Sequence, residues 1–470
     1  MLHTYKADYL VVGAGASGMA FVDTLVTESD KTVIIVDKDD KPGGHWNHAY
    51  SFVTLHQPSS FYGVSSKELS RGVKDKVGLN KGLNELASGA EVLAYYDELM
   101  REYFLPSGRV HYFPKCEYLG DGLIRSILTG QTFTVEVNKT VDSTYYKTSI
   151  PATHTPGFPV DDSVHFMPPN TLPKLQQVIQ NVTIIGGGKT GIDTCLWLLE
   201  RGVPADNIRW IMPRDAWLLD RKNTQPTKEF FGDTIGAQAA QMEEIANSCS
   251  IEDMFLKLEQ CGYFLRLDES VLPKMFHGAT MSKLEVEALR SIKQVVRLGR
   301  VSSVEETKIV LEQGEIPLMD NEIVVDCTAS AITNLDICQV FNENVITLQT
   351  VRSYQPVFSA SFIAHIELTY DDIKKKNNLC RVVPLPNHDY EWVELTYRNM
   401  MNQFFWSKEP GLKKWLQNNR LDGFMAMVAG VKFYEFENLK ILNRMRKAAK
   451  PAIAKLKEYK AQLENESKEY

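Results

Sequence analysis

The stretch Tyr9-Leu10-Val11-Val12-Gly13-Ala14-Gly15-Ala16-Ser17-Gly18-Met19-Ala20-Phe21-Val22 decides how the whole chain is read. The apolar run predicts a buried β-strand, and the residues after Gly18 resume with helical spacing. Between them stand three glycines in GxGxxG order. Gly13 permits a tight turn, Gly15 lets backbone approach a pyrophosphate, and Gly18 lets helix pack closely on strand, while the helix N-terminus offers unpaired N–H groups to the anion. Nineteen residues after Gly18, the run Thr32-Val33-Ile34-Ile35-Val36 ends at Asp37, whose carboxylate can accept hydrogen bonds from a ribose. A GxGxxG alone is a weak signal. Strand, loop, helix, second strand and terminal acid in that order predict a dinucleotide-binding unit, with Ser17 and Lys38 as further candidate contacts.

The pattern occurs a second time. Val182-Thr183-Ile184-Ile185 feeds Gly186-Gly187-Gly188-Lys189-Thr190-Gly191 and the helical run Ile192-Asp193-Thr194-Cys195-Leu196-Trp197-Leu198-Leu199, with glycines at the same three positions. Lys189 and Thr190 give the loop a superficial likeness to a triphosphate-binding loop, but the order GxxxxGK[ST] is absent. The next strand, Ile208 to Pro213, ends at Arg214 where the first unit has an acid. A guanidinium there can pair bidentately with a phosphate and stack on adenine; the alternative is an ion pair with neighbouring Asp215.

With 470 residues the chain has room for two or three domains. Lys plus Arg number 52 against 59 Asp plus Glu, a net charge of -7, so no global positive field invites nucleic acid or an anionic membrane, and small molecules are the expected partners. The seven cysteines are scattered and never form CxxC, which points to a reducing compartment and against a redox-active disulfide. No leader-like segment opens the sequence and no apolar run reaches the ~18 residues of a membrane span, so a cytoplasmic protein is expected.

Gly43-Gly44-His45-Trp46 combines two glycines, which let backbone approach a flat ligand, with an aromatic ring beside them. Residues 50–63 form an aperiodic run of polar and aromatic residues suited to lining a cofactor. Residues 89–105 predict a helix, 109–113 a strand, and 132–137 a strand of an antiparallel excursion. A first domain spans 1–150. The proline-rich segment 151–173 is predicted to be a linker without regular structure. The second domain, 174–325, includes a helical insertion from Glu229 and strands at 295–298, 308–311 and 322–325. Asp326-Cys327-Thr328-Ala329-Ser330 offers small residues that can pass close to the first domain, with Thr328 and Ala329 as candidate cofactor contacts. Residues 326–388 return to the first domain, and 389–470 form a helical extension with an aromatic stripe read as core. Its amphipathic tail, Leu442, Met445, Ala449, Ile453, Leu456 and Leu463, is expected to dock on the body or on a partner subunit as a homo-oligomer contact, with a membrane surface as the alternative.

Two such loops about 170 residues apart, GGHW after the first, and small residues near 330 resemble the two-dinucleotide-binding-domain flavoproteins, most closely the flavin-containing monooxygenase-like, class B group. The resemblance covers residues 5 to about 370. It implies an α/β fold with two Rossmann-like dinucleotide-binding domains, an FAD domain with an inserted NADP domain, the helical C-terminal extension lying outside it. By position, Gly13, Gly15, Gly18 and Asp37 match the FAD fingerprint, Gly44 and Trp46 the GGxW, and Gly186, Gly188 and Gly191 the NADPH loop. The group's own monooxygenase fingerprint is only echoed, in Pro156-Gly157-Phe158 and Val164-His165-Phe166, with different spacing. Val64 occupies the position of an active-site Asn.

The activity implied is NADPH-dependent FAD monooxygenation of a small organic substrate by O2 through a flavin C4a-peroxide. Candidate donors to the flavin or its oxygen adduct are His56, Gln57 and Arg352. Two alternatives stay open. One is an NAD(P)H-dependent flavin oxidoreductase or oxidase without oxygen transfer; the other is a non-catalytic FAD/NADP redox sensor or scaffold.

Overall fold

In the computed structural model, which describes residues 4–329 and 336–466, the first glycine loop joins β1 (Thr4–Val12) to α1 (Ala16–Glu28), and β2 (Val33–Val36) follows. β1 and β2 pair in parallel, Tyr9 opposite Val33 and Val12 opposite Val36. All four residues of β2 are buried, as a strand covered on both faces requires. On its other edge β1 pairs in parallel with Thr132–Asp142. The predicted excursion strand is therefore a central member of the parallel sheet. It also pairs antiparallel with Leu123–Ser126, so the antiparallel reading holds for one edge only. Val345–Thr347 adds in parallel beyond it and Val110–Phe113 beyond β2. Chain from beyond residue 340 thus completes the sheet that residue 4 begins.

The second glycine loop lies between β3 (Val182–Ile185) and α2 (Lys189–Glu200), with β4 (Ile208–Ile211) next. The sheet is parallel throughout, in the order Gln294–Val296, β4, β3, Ile323–Asp326, His165–Met167. His165–Met167 corrects the linker reading. Prolines exclude regular structure only where they sit; the three residues between Val164 and Pro168 are not prolines and form an edge strand of the second sheet. The stretch from Glu229 carries α3 (Phe231–Ala246) and further helices, together with the short strands Phe264–Leu265 and Thr280–Met281, which pair with Leu218–Asp220.

The returning helix α4 (Pro356–Thr369) packs on α1, where Thr24 and Ser361 hydroxyls meet at 2.7 Å. In the C-terminal extension, α5 (Glu391–Lys408) buries Trp392 among Trp217, Phe255, Phe264 and Phe276, so this part of the aromatic stripe is core. α6 (Phe436–Glu466) lies against α3 and α5; Arg444 pairs with Glu243 and the Tyr459 hydroxyl meets Ser248 at 2.8 Å. Leu456 is buried in that contact, and Leu442 and Met445 pack on Phe231 and Ile235. The apolar stripe of α6 is thereby covered by its own chain. Among the described residues no helix is long and apolar enough to cross a membrane.

Candidate functional site

The two glycine loops are built alike. A side chain at Gly18 would overlap the carbonyl oxygen of Gly13, and one at Gly191 that of Gly186, so each third glycine is fixed by helix-to-strand contact. Ser143 closes the first turn by donating to the carbonyls of Val12 (2.6 Å) and Gly13 (2.8 Å); the Trp210 indole N–H donates to that of Gly186 (2.8 Å) in the second. Gly44 lies with its backbone against Gly15, held there by the Gly43 N–H donating to the Ala14 carbonyl at 2.9 Å. Asp37 accepts from the N–H groups of Ala14 and Asp39, the latter at 2.7 Å. Burial pushes its carboxyl above the usual range. Each carboxylate oxygen keeps further acceptor capacity toward a ribose.

Residues 50–64 form a loop held from three sides. Arg221, 3% exposed, donates to the carbonyl of His56 (2.8 Å), to Asn80 and Thr280, and pairs with Glu285. Arg420, from the C-terminal extension, donates to the carbonyls of Ser60 (2.7 Å), Tyr62 (2.8 Å) and Val64. Gln57 donates to the Tyr354 carbonyl at 3.4 Å. On this scaffold His56 accepts the Thr280 N–H at Nδ1 (3.3 Å). Burial, then the cations Lys189 and Arg221, press its pKa well below the usual value, so the imidazole is neutral with its proton on Nε2. Lys189 pairs with Asp193, which also accepts the Tyr50 hydroxyl at 2.8 Å. His56, Gln57, Tyr50, Lys189 and Asp193 thus gather where the two domains meet.

Arg352 is engaged by an acid that its sequence position did not announce. Its guanidinium pairs with Asp422 at 2.6 Å and stacks over Phe358 at 4.2 Å, with the two side chains 8% and 0% exposed. Asp422, a side-chain carboxylate of the C-terminal extension, holds one Nη, and the Arg352 Nε–H is buried without a hydrogen-bond partner. Trp46 faces the loop's own core, donating to the Tyr62 hydroxyl at 2.8 Å. Lys38 turns outward to Glu117. Ser17 and Thr190 lie in the first turns of α1 and α2. Thr328 caps back onto Asp326, and Cys327 packs its carbonyl against Gly186, so this segment closes on the second loop. Ala329 is half-buried, and Ser330 lies outside the described residues. Arg214 does not pair with Asp215, which is held by Arg297 at 2.7 and 2.9 Å; it donates to Asn387 (2.8 Å) and His388 (3.2 Å). Sequence reasoning missed Tyr50, Asp193, Arg221 and this 387–388 pair as site residues. Apart from the Lys189–Asp193 pair, whose members are four residues apart on one helix, their partners come from distant segments, so no local pattern marks them.

Residues 11–57 match the family described as NAD(P)-binding Rossmann-like domain, which covers the first loop through Gln57. Over 420 residues, 89% of this chain and 78% of theirs, the sequence is 45% identical to "Uncharacterized protein Rv2000" of Mycobacterium tuberculosis H37Rv and to "Uncharacterized protein Mb2023" of Mycobacterium bovis. The chain belongs to the family of these mycobacterial proteins. Among solved structures, a flavin-containing monooxygenase from Stenotrophomonas maltophilia is 15% identical, covering 80% of this chain and 99% of that one with a TM-score of 0.42. A cyclohexanone monooxygenase from Rhodococcus sp. Phi1, described as bound to NADP+, is 14% identical, covering 80% and 84% with a TM-score of 0.46.

In this member of the Rv2000 family the residues present fit two dinucleotides. A Cβ at Gly188 would meet nothing within 4 Å, so the second loop leaves open the space a pyrophosphate takes. Beside Gln57, the segment before α4 buries the Tyr354 hydroxyl and the Gln355 Oε1 without any hydrogen-bond partner. The Tyr354 ring itself packs on Phe276 and Gly278, away from the amide of Gln57, which meets the Tyr354 carbonyl.

Proposed function

We propose that this chain is an NADPH-dependent FAD monooxygenase acting on a small organic substrate. The observation that carries the reading is the opposite charge at the tips of two like-built units. Asp37 directly follows β2, where a carboxylate suits a free ribose 2′-hydroxyl and repels a 2′-phosphate; after β4 the same register holds the uncharged Met212, and Arg214, two residues farther on, offers a guanidinium that suits that phosphate. FAD is thereby assigned to the first loop and NADPH to the second. Bound FAD supplies hydride acceptance and O2 activation.

The chain's own residues bind, orient and exclude water. The Gly13–Gly18 turn and Asp37 hold the first dinucleotide; the Gly186–Gly191 turn and Arg214 hold the second. Loop 50–64, clamped by Arg221 and Arg420, closes the junction. His56, neutral, presents an Nε2–H donor there, and Gln57 an amide. An uncharged donor stabilises negative charge developing on oxygen without releasing its own proton to solvent.

The test is anaerobic reduction of the yellow protein by NADPH, followed by mixing with isotopically labelled O2 and candidate substrates. Labelled oxygen in product supports monooxygenation. Rapid reoxidation to peroxide with no label transferred replaces it with the oxidase reading, and failure of NADPH to bleach the flavin with the sensor reading.

A further inference from the structure

Arg214 is held by a segment that belongs to neither nucleotide-binding sheet. Its Nη2 donates to Asn387 Oδ1 at 2.8 Å and its Nη1 to His388 Nδ1 at 3.2 Å. The same Asn387 oxygen is 3.0 Å from His277 Nε2, which fixes the amide's orientation, since only the oxygen can serve two donors. The backbone of the segment is fixed as well. Met275 bridges to Ala216 on one side and to His388 on the other, and the Glu391 carboxylate accepts the N–H groups of Asn387 (2.6 Å) and His388 (2.9 Å). The His388 ring is stacked on Tyr390 with 10° between planes.

The groups around this cradle are of both signs. Neither partner of Arg214 is a carboxylate, and the adjacent acid, Asp215, is held by Arg297. Burial and then the positive charge of Arg300 lower the pKa of Arg214, with Glu391 and Asp389 opposing; Glu391 is already engaged by two backbone N–H groups. An arginine carries five N–H donors in a planar fork. Two are used by Asn387 and His388, which set the plane, and three remain for an anion.

We propose that Asn387 and His388 are positioning residues that aim Arg214 at the 2′-phosphate of NADPH, so that the C-terminal part of the chain sets coenzyme preference. This rests on the reading of the second loop as the NADPH site. The segment does not touch the reacting atoms. It acts by pre-ordering a guanidinium that otherwise loses rotamer freedom on binding.

The experiment is calorimetric titration of the FAD-loaded protein with adenosine 2′,5′-bisphosphate and with AMP, for wild type, Arg214→Ala, Asn387→Ala, His388→Ala and His388→Gln. The expected result is that Asn387→Ala and His388→Ala each weaken the bisphosphate by about five- to tenfold and leave AMP unchanged, while His388→Gln, which keeps an acceptor, binds close to wild type. In turnover the same two Ala variants raise the apparent KM for NADPH and keep kcat. If Arg214→Ala loses the bisphosphate but Asn387→Ala and His388→Ala bind it normally, the positioning role is overturned and the coenzyme assignment stands. Equal weakening of both nucleotides in the Ala variants overturns it in favour of a structural role. If wild type binds the two nucleotides alike, or Arg214→Ala changes nothing, the NADPH assignment itself falls and this inference with it.

Discussion

Tyr50, on the loop after the first glycine turn, donates its hydroxyl at 2.8 Å to Asp193, on the helix that begins at the second. One side chain of each dinucleotide unit therefore meets the other, and Lys189 pairs with the same carboxylate. Burial and Asp193 push the Tyr50 phenol well above its usual pKa, so it remains a donor. Tyr50→Phe is expected to lower stability to urea by about 1.5–3 kcal/mol, the range for a hydrogen bond to a charged group. In a double-mutant cycle with Asp193→Asn the two changes should be non-additive by at least about 0.5 kcal/mol; additivity within error would mean that the pair does not interact in solution.

Two glycines of the second loop should behave differently. A side chain at Gly188 finds open space, so Gly188→Val should fold, keep FAD and resist reduction by NADPH, because the new methyls occupy the pyrophosphate's place. A side chain at Gly191 overlaps the Gly186 carbonyl, so even Gly191→Ala should unfold at lower temperature than wild type. Normal anaerobic bleaching of Gly188→Val by NADPH would remove the second loop from the coenzyme site.

Asp37→Ala removes both a prospective ribose acceptor and the acceptor of two backbone N–H groups. FAD affinity, measured by equilibrium dialysis of the yellow protein, is expected to fall roughly ten- to a hundredfold, the equivalent of about 1.5–3 kcal/mol. Unchanged affinity excludes Asp37 from the FAD site.

The buried pair of Arg352 with Asp422 makes a stability prediction. Arg352→Ala leaves Asp422 buried and unpaired, and breaking a buried pair by removing one partner costs about 3–5 kcal/mol. The variant should show a lowered Tm, and any folded fraction should reduce flavin at the wild-type rate. A slow rate with unchanged Tm would place Arg352 in the active site.

His56 gives stability a pH dependence whose sign follows from its depressed pKa. As pH falls through about 6.5, the unfolded chain takes up a proton that the folded chain refuses. Stability present above pH 6.5 is therefore lost below it, with a slope approaching about 1.4 kcal/mol per pH unit from this residue. His277, lowered by burial first, adds in the same direction. His56→Gln, which keeps an acceptor for the Thr280 N–H, should flatten urea midpoints measured between pH 7 and 5. An unaltered slope in that variant would show that His56 titrates normally.

The sequence alone determined what depends on neighbours along the chain. A strand running into GxGxxG and a helix is specified by consecutive residues, because the glycines answer to contacts within their own turn, such as Gly18 on Gly13 and Gly191 on Gly186. For the same reason the ends of the second strands were legible, Asp37 directly after the first and Arg214 three residues after the other. What the tertiary structure decided are the partners. Arg352 meets Asp422 across 70 residues and Arg214 meets Asn387 across 173, and the strand among the prolines exists because Ile323–Asp326 offers it a free edge. A charged side chain carries no mark of which opposite charge or acceptor packing will bring to it. Whether a guanidinium becomes a structural ion pair or an open anion site is settled only when the buried surfaces of distant segments close around it.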